Sequence, residues 1–124
     1  MAQHASKIID QEPAAPAAAI DLGQLARMTF GDRSLEREVL QLFDRQAGLL
    51  LARMHTGESA AVATLAHTLK GSAASIGATG VVLAAAAVEH AASAAKRDLA
   101  IGRLAMAIDE VCAAIAGLLD ASKG

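Results

Sequence analysis

No segment of this 124-residue chain alternates apolar and polar residues with the period of two that a half-buried strand requires. Apolar residues recur three and four apart instead. The clearest case is the stripe Ile101, Leu104, Ile108, Cys112, Ile115 and Leu119, from which Asp109 and Glu110 face away. Alanine, the commonest residue, is the best helix former because it loses no side-chain entropy on entering a helix. Aromatic residues make up only 2% of the chain, so bulk must come from Leu, Ile, Val and Met. The expected class is all-α.

Along the chain, residues 1–19 read as a flexible Ala/Pro-rich tail, because Pro13 and Pro16 break the alanine run and little bulky apolar surface is available to offset ordering entropy. Residues 20–124 read as one domain. Asp21 caps a short helix through Phe30, with Leu22, Leu25, Ala26 and Phe30 as inward candidates, and Gly31 ends it. Asp32 caps a second helix running to about Met54. There Leu35, Val39, Leu42, Leu49, Leu50 and Arg53 share one side with Gln46, while Leu40 or Phe43 stands partly outside that sector. A third helix opens at Glu58 or Ser59 and stops at Gly77, and Thr79-Gly80 forms a tight turn. A fourth, nearly all alanine, runs from Val81 to about Ala95, and the polar patch Lys96-Arg97-Asp98 separates it from the last helix. Four long helices with short connections are most simply an antiparallel up-down four-helix bundle, with the short extra N-terminal helix covering one end.

The formal charge is −2 with no basic block, which argues against nucleic acid, where phosphates demand a cationic face and bases an aromatic platform. No stretch is long and apolar enough for a membrane span, and no secretory leader is evident. A single cysteine, Cys112, cannot close an internal disulfide and suits a reducing compartment, so a cytoplasmic location is expected. Cys112 itself reads as a small buried hydrophobe. His4, His55 and His90 lack partners at metal-ligand spacing, so no metal site is expected.

The segment "AHTLKGSAASIGA", residues 66–78, is unlike a packing helix. Val62, Leu65, Leu69, Ala73 and Ile76 cluster on a wheel as the core face, and His67 lies about 160° from their centre. The histidine therefore points outward. Ala60, Ala63, Gly71 and Ala74 surround it on that side, with Lys70 three residues on, at a spacing that makes helical neighbours. Such small residues let another protein's surface approach the imidazole, and the lysine can neutralise an anion on it. A mid-helix glycine costs about 1 kcal/mol relative to alanine, so Gly71 needs a reason. Close approach of a partner is one and tight packing against a neighbouring helix is the other, though Gly71 maps to the outward side.

If the turn between helices three and four centres on Ala78, His67 lies eleven residues before it and Glu89 eleven after. In an antiparallel hairpin the two then sit at one height. Glu89 is either an ordinary surface acid or the acceptor for the imidazole Nδ1–H. In the latter case the tautomer is fixed and Nε2 keeps its lone pair as a nucleophile.

At this point "HTLKGSAASIGA" resembles the signature of histidine-containing phosphotransfer (HPt) domains, His-x-x-Lys-Gly followed by small residues and a hydrophobic-Gly pair, here His67, Lys70, Gly71, Ser72, Ala73, Ile76 and Gly77. The family often carries Glu or Gln at the position matching Glu89. The resemblance covers about residues 21 to 120 and implies a four-helix bundle with an exposed histidine. It further implies that His67 is phosphorylated at Nε2 by a receiver-domain aspartate and passes the group to another receiver, in multistep two-component signalling. Lys70 would balance the phosphoryl oxygens and Gly71 would permit docking. Response regulators and hybrid histidine kinases supply the receivers. No cofactor is implied on this side, since Mg²⁺ and the acidic pocket belong to the receiver, and a monomer is expected.

The chain has no Gly-rich nucleotide loop and no ATP-binding domain, so it reads as a phosphocarrier intermediate and not an autonomous kinase. Two other readings stand beside this one. One is a helical interaction module that kept the bundle and lost the chemistry; intact His67 and Lys70 weigh against it. The other is the phosphoacceptor domain of a larger kinase. Leu40 or Phe43, if exposed near the histidine, would add apolar area for a receiver to cover.

Overall fold

The computed structural model describes residues 19–123. Within that range the chain forms five helices and no strand: α1 (Leu22–Thr29), α2 (Arg33–Thr56), α3 (Ser59–Ser75), α4 (Thr79–Glu89) and α5 (Ala94–Lys123). The tail expected over residues 1–19 lies, up to residue 18, outside the described residues.

Local chemistry explains where the first two helices begin. Asp21 and Asp32 have extended backbones, and each accepts an otherwise unpaired amide hydrogen with its carboxylate, from Gln24 and Leu35 at 3.1 Å. Between them Phe30 takes a left-handed conformation, φ 55°, followed by Gly31 at φ 74°. That reversal, just past the end of α1, swings Phe30 out, and it is 92% exposed. Leu22 is also exposed, whereas Leu25 and Thr29 turn inward. Thr29 is buried at no hydrogen-bonding cost, because its hydroxyl donates to the Leu25 carbonyl at 2.9 Å.

The face that α2 buries differs from the expected one. Leu40, Phe43, Ala47, Leu50 and Met54 point into the core, while Leu42 and Leu49 are 58% and 64% exposed. The helix is rotated so that its one aromatic ring enters the interior. Burying such a side chain is worth about 1.5–3 kcal/mol. Leu35, Val39 and Gln46 lie at the margin, and Arg53 is exposed.

The connection between α3 and α4 is also displaced from its expected place. Ile76, Gly77 and Ala78 make the turn, with Gly77 at φ 75°, and Thr79 and Gly80 already belong to α4. The Ala78 amide donates to the Ala73 carbonyl at 2.9 Å and closes the end of α3. Helix α4 then stops at His90, short of the expected Ala95. Ser93 starts the last helix, its hydroxyl accepting from the Lys96 amide at 3.2 Å, so Lys96-Arg97-Asp98 lies within the start of α5 and is not a separator.

Helix α3 packs most extensively on α4, α4 on α5, and α2 against both α3 and α5, while α1 rests on α2 and α3. One core fills the space between them. Val62, Ala66, Leu69 and Ala73 come from α3, Val81, Ala85 and Val88 from α4, and Ile101, Leu104, Ile108, Val111 and Ile115 from α5. Alanines on the buried faces of α3 and α4 let the two axes run close together. That proximity brings side chains from the flanks of α3 and α4 within hydrogen-bonding reach.

Candidate functional site

His67 stands on α3 above buried Ala66 and Leu69, with its side chain 68% exposed. Ala60, Gly71 and Ala74 are exposed on the same helix and Ala63 is half-buried. A Cβ built on Gly71 meets nothing within 4 Å, so no neighbouring helix requires a glycine there. Of the two reasons considered for this residue, packing within the chain is removed. The neighbouring threonines are turned to their own helix: Thr64 and Thr68 donate to the carbonyls of Ala60 and Thr64, each at 3.1 Å.

The α3–α4 turn sets what faces the ring. His67 and Glu89 are 22 residues apart, half on each side of Ala78, and meet with Nδ1 2.9 Å from Oε2. The other oxygen of the same carboxylate, Oε1, accepts from Lys70 Nζ at 2.8 Å. His90 Nε2 is 3.8 Å from Oε1, beyond hydrogen-bonding range, and extends into solvent. Glu89 is thus a bridge between two residues of α3.

Electrostatics settles the proton on this bridge. The Lys70 hydrogen bond, more than any other influence, holds the Glu89 carboxyl below the ordinary carboxylate range; partial burial opposes it and His67 assists. An ionised carboxylate only accepts hydrogen bonds. Nδ1 must therefore carry the hydrogen it shares with Glu89, and in the neutral ring Nε2 is the nitrogen with a free lone pair.

The sequence marks Lys70 only as a cation beside His67, and its bridge to Glu89 is a finding of the structure. Its signal was present in the hairpin arithmetic. Lys70 lies eight residues before Ala78 and Glu89 eleven after it, an offset of about one helical turn that a lysine side chain spans. The docking contribution expected of Leu40 or Phe43 is overturned: both are buried, only 3% exposed, because they form the core face of α2. Leu42 and Leu49 are its exposed leucines. Cys112 is half-buried. No group of three or more His, Cys, Asp or Glu side chains among the described residues is placed to hold a metal ion.

The family model described as the Hpt domain matches residues 34–121, which is most of the chain and includes His67, Lys70, Gly71 and Glu89. This chain belongs to the Hpt domain family. It is accordingly a histidine phosphotransfer module of the kind used in phosphorelays. The match covers α2 to α5 nearly end to end, and α1 precedes the matched residues. No curated protein and no solved structure matches this Hpt domain. No helix among the described residues is long and apolar enough to cross a membrane.

Proposed function

We propose that this Hpt domain is a phosphocarrier whose His67 takes a phosphoryl group from a receiver-domain aspartate and delivers it to the aspartate of a second receiver. The helix order and the packing of α2, α3, α4 and α5 on one another support an antiparallel up-down bundle as its frame. The unpaired Cys112 supports a cytoplasmic setting. The single observation that carries the proposal is an exposed ring whose Nδ1 is occupied by an ionised carboxylate, which leaves Nε2 as the reactive atom.

In the forward step the Nε2 lone pair forms a bond to phosphorus while the bond from phosphorus to the aspartyl oxygen breaks, and the aspartate carboxylate leaves with that electron pair. The ring becomes a cation and keeps its Nδ1 hydrogen. Glu89, held ionised, meets that charge without taking the proton. In the second step a carboxylate oxygen of the next receiver bonds to phosphorus, and the electron pair of the breaking N–P bond returns to Nε2. Phosphoryl transfer proceeds through a loose transition state that asks for position and charge balance, so one nucleophile on an accessible helix suffices on this side. Exposed Ala60, Gly71 and Ala74, with Ala63 at the edge, supply the clearance a receiver needs.

Incubation with a phosphorylated receiver domain tests the proposal. Label should move to this protein as an acid-labile, base-stable adduct, and His67→Gln should abolish the uptake. Normal labelling of that variant overturns the assignment, and failure of any receiver to label the intact protein favours a module that only binds.

A further inference from the structure

Helix α5 turns a second stripe to solvent, away from the one it buries. Leu99, Arg103, Met106, Glu110, Ala113 and Gly117 are all exposed. Their alternating steps of four and three residues set them on one face, about 150° from the centre of Ile101, Leu104, Ile108, Val111 and Ile115. The expected monomer leaves that whole face in water. We propose that it is a homodimer interface, on which α5 of a second copy of this chain packs antiparallel about a two-fold axis near Ile108. The proposal is independent of the reading of His67. Helices α3 and α5 each pack on α2 and α4, so they stand across the core from one another, and both histidines of the dimer stay accessible.

Scattered exposed leucines need no partner, but this stripe is ordered along its length. Its first half carries the bulk, Leu99 and Met106, each 66% exposed; Ala113 and Gly117 in its second half carry almost none. Turned end for end, the stripe lays Leu99 over Ala113 and Gly117 of the second copy, bulk into clearance, and does so twice. The charges reverse in the same sense. Arg103 comes within one helical turn of Glu110 in the second copy, and the symmetry repeats that pair. A parallel pairing would instead set arginine on arginine and glutamate on glutamate. Among the described residues neither side chain has a hydrogen-bond or ion-pair partner, so both charges are available for the contact. Gly102 and Gly117 fit the same geometry. Glycine is costly in a helix interior, and a Cβ on either would meet nothing within 4 Å, so packing within the chain does not call for them. A helix laid close alongside does. Charges within a helical seam specify orientation at the expense of stability, so the dimer should be a weak one.

Sedimentation equilibrium of the full chain over roughly 10 to 500 µM tests this, since mass action makes a weak dimer visible in its concentration dependence. A monomer–dimer equilibrium is expected. Arg103→Glu and Glu110→Arg should each weaken association about tenfold or more, because each sets like charges against one another twice per dimer. Both positions are exposed, so the substitutions leave the fold of each copy intact. The two variants mixed together should associate again, and so should a chain carrying both substitutions, because either route restores the opposite-charge pairs of the antiparallel arrangement. A protein that stays monomeric throughout that range overturns the proposal. So does a dimer indifferent to both charge reversals, which would put the contact on another face. A double variant that associates as poorly as the single ones would overturn the antiparallel pairing and the proposal with it.

Discussion

Asp21 and Gly77 are locked together where α1 meets the α3–α4 turn. The Asp21 amide donates to the Gly77 carbonyl at 2.9 Å, and a Cβ on Gly77 would come within 2.7 Å of the Asp21 Cβ and 2.8 Å of its carbonyl oxygen. Gly77 also holds φ 75°, a conformation that costs other residues energy. The turn that brings Glu89 to His67 is therefore braced by the start of α1, the helix outside the family match.

Gly77→Ala should lower stability by about 2 kcal/mol or more, because an alanine meets both a strained φ and fixed backbone atoms. Urea unfolding followed by helical circular dichroism measures it. A midpoint equal to that of the parent protein would mean that the turn and α1 separate in solution.

Gly71→Ala should do the opposite. The added methyl group meets nothing within the protein, and alanine in an exposed helix interior should gain about 0.5–1 kcal/mol over glycine. Transfer from a phosphorylated receiver should nonetheless slow, since the methyl occupies the clearance beside His67. A variant that is more stable and transfers at the parental rate would show that the glycine has no part in docking.

How much of this was legible in the sequence depends on what each feature rests on. The helical class, the first two caps and the shared height of His67 and Glu89 follow from counting residues, and counting is insensitive to packing. The phase of α2 is different. Leu35, Leu42 and Leu49 draw one stripe at seven-residue spacing, while Leu40, Phe43, Ala47, Leu50 and Met54 draw another about a third of a turn away. Periodicity cannot rank two stripes on one helix; the packed core does, and takes the one with the ring. Alanine blurs boundaries in the same way. Ala91 and Ala92 would suit a continuing helix, yet α4 has ended, and α5 begins on the Ser93 cap. The charges after that cap resemble a loop only until Arg97 is seen reaching the Ser59 hydroxyl across to α3.

Cys112 should be slow to alkylate in the native protein. Burial, with Asp44 adding to it, pushes its thiol up to about 12. The reactive thiolate should then be roughly a thousandfold scarcer at neutral pH than for a cysteine with the ordinary value of 9.0. Iodoacetamide labelling followed by mass spectrometry reads this directly: protection in native buffer, rapid labelling in urea. Equally fast labelling in both would place the thiol in water.

The Lys70–Glu89–His67 bridge should leave a signature in the acid dependence of stability. The Glu89 pKa in the folded protein lies below its ordinary value of 4.5, so folding favours the ionised form. The corresponding stabilisation is fully present above pH 4.5 and is lost as the pH falls through the lowered folded value. Glu89→Gln keeps the shape and an acceptor oxygen but has no proton to gain. Unfolding midpoints of the parent and this variant should therefore differ by a constant amount at neutral pH and converge below pH 4.5. The sign is fixed by the direction of the shift: it is the parent that loses stability on acidification. A gap that stays constant into the acid range, or that widens there in favour of the parent, would mean that the carboxylate is not paired with Lys70 in solution, and the tautomer argument for His67 would lose its foundation.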